Sequence, residues 1–371
     1  MKVLMVTPYY YPIIGGTESL IENIALKLNE HNVHTDVLTF NYSSSKPMWQ
    51  NENLIINGLT VKRIPVMRLS RPISFLNHVP GSFRSKLLDY DVIHFHNDVD
   101  LSFPLFSFNI PRKKIFHFHC LDTTYFDYRR NPLAKKILIN SADCFIALSS
   151  FLAGYLLDLG ISKDRIKILS NGINTDKFNL GALEKVSNLL LFVGRLDPKK
   201  GLPVLLAALK HVKRPVKLVI IGPPSTYEEY SASLIRLMVE VKGKTIHEIV
   251  YLGKVPVSEL VNWYQKASVV ILPSIYESFP MVPMEALACG TPVIASNVGA
   301  IPEVVRNHEN GIIVQPNNPV ELANAIEYLL DNESLRKKFG RAGREWVVQK
   351  FSSEITIRSL IQIYVSLMQM N

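Results

Sequence analysis

Cysteine is scarce in this chain: three thiols in 371 residues, Cys120, Cys144 and Cys289, at no spacing that metal-binding or redox pairs use. That excludes a small scaffold stapled by disulfides and fits buried free thiols in a reducing cytoplasm. No apolar run approaches the ~20 residues that cross a bilayer as a helix. The opening MKVLMVTPYYYP is apolar over too short a stretch for a signal-peptide core and lacks a small-residue cleavage pattern, so it reads as a first buried strand. The expectation is a cytoplasmic protein, soluble or held peripherally on the inner face of a membrane. Low-complexity tracts are missing, which argues against disorder. G-x-G-x-x-G is missing too, which weakens a nicotinamide enzyme. No nucleic-acid-binding module is recognisable, so nucleic acid is not an expected partner. Acid is missing from one long stretch: between Glu52 and Asp89 there is none, while Lys62, Arg63, Arg68, Arg71, Arg84 and Lys86 are interleaved with apolar residues.

What is present is β/α alternation, twice over. At 371 residues, 47% of them hydrophobic, the chain is too long for one ordinary core and suits two domains of roughly 150 to 200 residues. In the first half KVLMVT, TDVLTF, DVIHFH, KIFHFH and DCFIALS are strand-like, and ESLIENIALKLNEH is amphipathic. The second half restarts with NLLLFVG, VKLVIIG, IVYLGKV, SVVILPS and TPVIAS, separated by helical spacing such as GLPVLLAALKHV and VSELVNWYQKA. Short apolar runs alternating with helices predict an α/β protein of two Rossmann-like domains with mostly parallel sheets. The join falls near Asn179 to Val186, giving domains at 1–180 and 181–352. Open parallel sheets take ligands beyond the carboxyl ends of their strands, and the chemically informative motifs all fall at such ends.

The most informative segment is ESFPMVPME, with Glu277 and Glu285 eight positions apart. Pro283 suits a first helical position, where its missing N–H costs nothing. Glu277 then lies in the loop after the strand VVILP, and Glu285 in the first turn of a helix running through MEALACG to Gly290. Free N–H groups at such a helix start attract phosphate, with one carboxylate on each side for sugar and ribose hydroxyls. A glutamate in a first turn also arises simply as a partner for the macrodipole, so the segment does not stand alone. ESFPMVPMEALACGTPVIAS resembles the E-x7-E region of retaining glycosyltransferases of family 4. GGTE at Gly15 to Glu18, HFH at His117 to His119, NGINTDKF at Asn171 to Phe178 and VGRLDPKKG at Val193 to Gly201 continue the resemblance, in order, over nearly the whole chain.

The resemblance implies the GT-B fold: two Rossmann-like domains facing a central cleft, with a C-terminal helix at about 353–371 crossing back to the first domain. The first domain would serve the acceptor side and the second would hold the donor. It also implies roles for matched residues. Arg195 and Lys200 would grip the donor diphosphate, Glu277 the sugar hydroxyls, Glu285 the ribose, and the N–H groups near Met281 and Val282 the phosphates, with Phe279 beside the donor. Gly15 and Gly16 match the loop over the donor phosphate and sugar, and His119 the histidine near the reacting centre. The chemistry suits the charged residues independently, because a departing diphosphate needs cations aimed at its developing charge. Arg195 and Lys200 are also the kind of exposed residues found in any βα loop.

Two further features have competing readings. His94, His96, His117 and His119 form two H-F-H pairs at strand ends, and alternation puts each pair on one sheet face. A zinc site is geometrically conceivable there, with Cys120 and Asp122 nearby, but the usual His–carboxylate or His–Cys ligand spacings are missing. The DVD triplet at Asp98 to Asp100 hints at a metal-binding DxD, yet it lies far along the chain from the diphosphate motif. No metal is therefore assigned, and the resemblance implies metal independence. The basic run is a solvated face or a patch for anionic lipid headgroups, each cation near such a surface contributing about 1 kcal/mol. Arg68, Arg71, Arg84 and Lys86 are the candidate membrane or acceptor patch.

The resulting expectation is a retaining, metal-independent hexosyltransferase without cofactor. It would use a UDP- or GDP-linked sugar as donor and a lipid-linked or saccharide acceptor, in cell-envelope or other glycan synthesis. A GT-B sugar-nucleotide epimerase and a catalytically silent nucleotide-sugar-binding protein are the alternatives.

Overall fold

A computed structural model describes residues 1–11, 16–40, 52–64, 67–68, 75–76, 87–96, 104, 107, 110–119 and 127–369. The chain divides into two compact units, one of Met1–Asn171 with Thr356–Asn371 and one of Gly172–Ile355.

The first unit is built on an eight-stranded sheet. Its strands are β1 (Lys2–Val6), β2 (His34–Phe40), β3 (Glu52–Ile56), β4 (Leu59–Ile64), β7 (Val92–His96), β8 (Lys113–Phe118), β9 (Cys144–Ala147) and β10 (Ile166–Ile168), with β5 (Met67–Arg68) and β6 (Phe75–Leu76) forming a separate ribbon. The order is β10-β9-β8-β7-β1-β2-β4-β3. All neighbours are parallel except the β3–β4 hairpin. The continuous burial of β1, β7 and β9 is what parallel strands covered on both faces require. Helix α1 (Gly16–Glu30) buries Ile21, Ile24, Ala25 and Leu28, one stripe at helical spacing. Helix α2 (Pro132–Ser141) starts with Pro132 at its first position, and the Asn131 side chain accepts from the Ala134 N–H; Ser149 does the same for Leu152 at the head of α3 (Ser150–Asp158).

The second unit carries a six-stranded, fully parallel sheet of β11 (Leu189–Val193), β12 (Lys217–Ile221), β13 (Glu248–Gly253), β14 (Val269–Leu272), β15 (Val293–Ser296) and β16 (Gly311–Val314). Its order, β13-β12-β11-β14-β15-β16, reverses direction between β11 and β14. That switch point is where two crossovers diverge to opposite sides and leave a crevice for ligand. The crossover helices are α4 (Leu202–Leu209), α5 (Glu228–Lys244), α6 (Val257–Lys266), α7 (Met281–Ala288) and the short α8 (Ile301–Val304), followed by α9 (Pro319–Asp331) and α10 (Glu333–Phe351). The core joins Leu190, Phe192, Leu218, Ile220, Val269 and Ile271 of the central strands to Leu205, Leu206 and Leu209 of α4 and Ile326 and Leu329 of α9.

Helix α11 (Ser353–Gln369) returns to the first unit. Its Ile357, Leu360, Tyr364 and Leu367 share one core with Val3, Met5, Ile21, Val92 and Ile115. Cys144 and Cys289 are buried free thiols, and burial pushes them up to about 11 and about 12, so neither offers a thiolate at neutral pH. Among the described residues no helix is long and apolar enough to cross a membrane.

Candidate active site

The second unit gathers its charged groups at the switch point. After β11 the chain passes Gly194, Arg195 and Asp197 into a 3-10 turn at Pro198–Lys200. After β14 it runs through Pro273 and Ser274 to Glu277. Gly201 brings the two loops together. Its φ is +67°, and a Cβ there would stand 1.9 Å from the Pro273 carbonyl oxygen, so only glycine allows this approach. The Ile275 N–H also donates to the Lys199 carbonyl at 2.8 Å.

The result is a direct ion pair. Lys200 Nζ donates to Glu277 Oε1 at 2.6 Å, and the Ser274 hydroxyl donates to the same oxygen at 2.9 Å. Glu277 is buried, 7% exposed, where a carboxyl group needs such partners. The adjacent lysine goes elsewhere: Lys199 Nζ sits over the Tyr276 ring, 5.8 Å from its centroid. Arg195 is half-exposed beside Asp197, Nε to Oδ2 at 3.4 Å, and Asp197 also accepts from the Ser225 hydroxyl at 2.6 Å. One cation is thus part-buried against a carboxylate and the other half-exposed.

Helix α7 begins with Pro280 as its cap residue and no side chain capping its N-terminus. Its first N–H groups belong to Met281 and Val282, both partly exposed. Two expectations are corrected here. Pro283 is the third helical residue, not the first, and Glu285 is the fifth, beyond the first turn. The first four helical N–H groups all lack intrahelical acceptors, so proline at the third position breaks no helical hydrogen bond. Glu285 therefore gains little from the macrodipole, whose effect fades within the first turn. It is held instead by the Tyr264 hydroxyl of α6, which donates to Glu285 Oε2 at 2.7 Å. Burial pushes the Glu285 carboxyl up to about 7, against the lowering effects of that hydrogen bond and of Lys177. Phe279 is buried, its ring 6.3 Å from that of Phe351.

In the first unit, Gly16 opens α1, whereas Gly15 lies outside the described residues. His119 follows β8, is 8% exposed, and its Nε2 meets His96 Nδ1 at 2.9 Å. Burial pushes its imidazole down to about 3, so it is neutral at physiological pH and acts as a hydrogen-bonding group, not as a cation or a proton donor. Arg71, Arg84, Lys86, Cys120, Asp122 and Asp98 to Asp100 lie outside the described residues, and Arg68 is described only as backbone in β5.

Two family descriptions match, "Glycosyltransferase Family 4" over residues 14–177 and "Glycosyl transferases group 1" over residues 174–346. The chain belongs to the family 4 glycosyltransferases. This glycosyltransferase is 29% identical to an uncharacterized glycosyltransferase of Methanocaldococcus jannaschii over 100% of its own length and 99% of the relative's. It is 27% identical to the phosphatidyl-myo-inositol mannosyltransferase of Mycobacterium leprae, over 98% and 96%. Among solved structures it superposes on an Anabaena protein, HepE in complex with UDP, with a TM-score of 0.81 at 19% identity, covering 99% of this chain and all of that one. The fold is GT-B.

Several residues of the site escaped the motif reading. Tyr264 sits in an apolar helical pattern and reads as core. Ser274 and Gly299 flank the motifs without matching a pattern. Gly299, at φ +52°, has no room for a side chain: a Cβ would lie 1.7 Å from the Glu277 carbonyl oxygen. A glycine four residues before Glu303 in the loop after TPVIAS was the available signal, and it fixes the backbone that carries Glu277.

Proposed function

We propose that this glycosyltransferase moves a hexosyl group from a UDP- or GDP-linked sugar to a hydroxyl acceptor, with retention and without a metal at the diphosphate. The observation that carries the reading is the Lys200–Glu277 pair at the β11/β14 switch point, with the half-exposed Arg195 and the uncapped start of α7 in the same unit. Lys200 and Arg195 stabilise the departing diphosphate, and the N–H groups of Met281 and Val282 receive its oxygens. Glu277 accepts from donor-sugar hydroxyls, Glu285 from the ribose, and Phe279 packs beside the donor. Neutral His119 orients the sugar, and Gly15 and Gly16 admit the phosphates close to the backbone. With no assigned nucleophile, the leaving phosphate takes the acceptor proton in a same-face displacement.

A lipid-linked acceptor is the reading favoured here, supported by the phosphatidyl-inositol acceptor named for the Mycobacterium leprae relative. The basic stretch containing Arg68, Arg71, Arg84 and Lys86 would then face an anionic membrane surface. The test pairs binding with transfer. Labelled UDP- and GDP-sugars are screened against lipid and oligosaccharide acceptors, and nucleotide diphosphate binding is measured by calorimetry for Glu277→Gln and Glu285→Ala. Glu277→Gln should abolish most transfer while the nucleotide still binds, and Glu285→Ala should weaken the nucleotide itself. Equal losses of nucleotide affinity in both variants would contradict the assignment, and product formed without acceptor would indicate an epimerase.

A further inference from the structure

Strands β7 and β8 pair in parallel with His96 opposite His117. Alternation then puts His94, His96 and His117 on the sheet face that α11 covers, where Val92, Ile115 and Tyr364 form the core. These imidazoles are 0%, 0% and 3% exposed. One nitrogen from each lies within 4.8 Å of the others. The His94 and His117 rings are near-parallel with centroids 5.3 Å apart, and the His94 and His96 rings are 4.1 Å apart.

Their hydrogen bonding is incomplete in a consistent way. His94 Nδ1 meets the Tyr364 hydroxyl at 2.7 Å, and His96 Nδ1 meets His119 Nε2 at 2.9 Å. The Nε2 atoms of both, and both nitrogens of His117, have no partner among the described residues. A neutral imidazole offers one donor and one acceptor, and a buried polar group left unsatisfied destabilises the fold. Apolar side chains of similar volume would fill this core without that cost. Three rings that each carry an orphaned nitrogen and each bring a nitrogen within 4.8 Å of the others are explained by a shared ligand.

We propose that His94, His96 and His117 form a buried transition-metal site that takes Zn2+. The donor set is nitrogen only, with no carboxylate oxygen, which disfavours Mg2+ and Ca2+ and suits late first-row dications. Three imidazoles with one open position is a known zinc arrangement. For bonds of about 2.0–2.1 Å the nitrogens of a tetrahedral set stand about 3.4 Å apart, so the cluster tightens on binding and the near-parallel His94 and His117 rings turn toward the ion. Ligation fixes the tautomers. With Nε2 of His94 and His96 on the ion, their Nδ1–H groups donate to Tyr364 Oη and His119 Nε2. The ion clamps β7 to β8 and, through His96, orients His119, leaving departure of the diphosphate to Arg195 and Lys200 in the other unit. Such partners of ligating histidines hold the ring in place in many metal sites.

The experiment uses the full chain carrying no polyhistidine tag, grown with added Zn2+ and dialysed. Elemental analysis should find about one equivalent of zinc, and its X-ray absorption should show a nitrogen shell at about 2.0–2.1 Å. Metal-stripped protein should bind Co2+ with the visible spectrum of a tetrahedral site. His94→Gln and His117→Gln should each weaken Co2+ binding by a hundredfold or more, while exposed His211→Gln and His308→Gln should not. Far-UV circular dichroism checks folding, and if the buried variants fail to fold, the absorption spectrum of the wild type decides. A folded wild type that neither retains zinc nor binds Co2+ overturns the proposal. So does binding that survives both buried substitutions, or a shell of oxygens.

Discussion

At the carboxyl ends of β11 and β14 the second unit works with formal charge: Lys200 against Glu277, Arg195 against Asp197, each cation next to an anion. At the carboxyl ends of β7 and β8 the first unit has imidazoles, all pushed toward neutrality by burial. Both are α/β sheets, the first parallel but for its β3–β4 edge, and both use strand ends. The difference lies in what the side chains do to a ligand. Paired charges can exchange partners when an anion arrives; in the proposed function Lys200 leaves Glu277 for a phosphate while Glu277 turns to hydroxyls. Buried neutral rings position without such exchange. Fold therefore does not set the role of a strand end; the local dielectric and the available partners do.

The contrast is broken most sharply by removing one group from each side. Lys200→Ala should lower kcat by on the order of 10²-fold or more, the scale of losing a preorganised stabiliser of transition-state charge. His119→Ala, which removes a neutral hydrogen-bonding group worth about 0.5–1.5 kcal/mol, should lower kcat/KM only by a few-fold to tenfold. Steady-state transfer assays with one donor decide it. Equal penalties would erase the distinction between charged and neutral sites.

A second test keeps every charge and moves the backbone beneath one. Gly299→Ala places a methyl against the Glu277 carbonyl and forces a left-handed conformation on alanine. It should cost about 1–3 kcal/mol of stability and lower transfer by shifting Glu277 away from Lys200. Denaturant midpoints and rates measured on the same preparation check this, and wild-type values for both would show that the loop gives way freely.

A third test concerns the ionisation of Glu285. Its carboxyl, pushed up to about 7 by burial, is largely protonated at pH 6 and ionised at pH 8. If the ionised form accepts from the ribose, donor affinity should rise across that range by on the order of tenfold. Folding stability moves in the opposite sense: an acid whose folded value is raised above its unfolded one binds more protons when folded, so its contribution is lost as pH rises through about 7. Glu285→Gln should flatten the affinity profile. A wild-type profile already flat would remove the ionised carboxylate from ribose binding.

How much of this could be read in the chain depended on distance along it. Runs such as LLLFV and VVIL announce buried parallel strands locally, and the motif glycines and charges sit a few residues beyond them. Pro283 does not mark the start of α7 because none of the first helical positions needs the N–H that proline lacks. The histidine cluster was half legible. Alternation assigns each H-F-H pair to a face, but only the β7–β8 register sets His96 beside His117. Tyr364 was out of reach, since nothing near it in sequence signals a hydroxyl aimed at a ring 270 residues earlier. Tyr264 was hidden similarly, its polar tip carried by an otherwise apolar helical stripe.

That long-range partnership has a consequence for biosynthesis. The core beneath β1 and β7 includes Ile357, Leu360, Tyr364 and Leu367, so strands made before Gly172–Ile355 wait for a helix made only after it. The second unit is contiguous and can close as it is made. The first must remain open on one face until α11 arrives, and throughout that interval its histidines are accessible to whatever ions the surrounding solution holds.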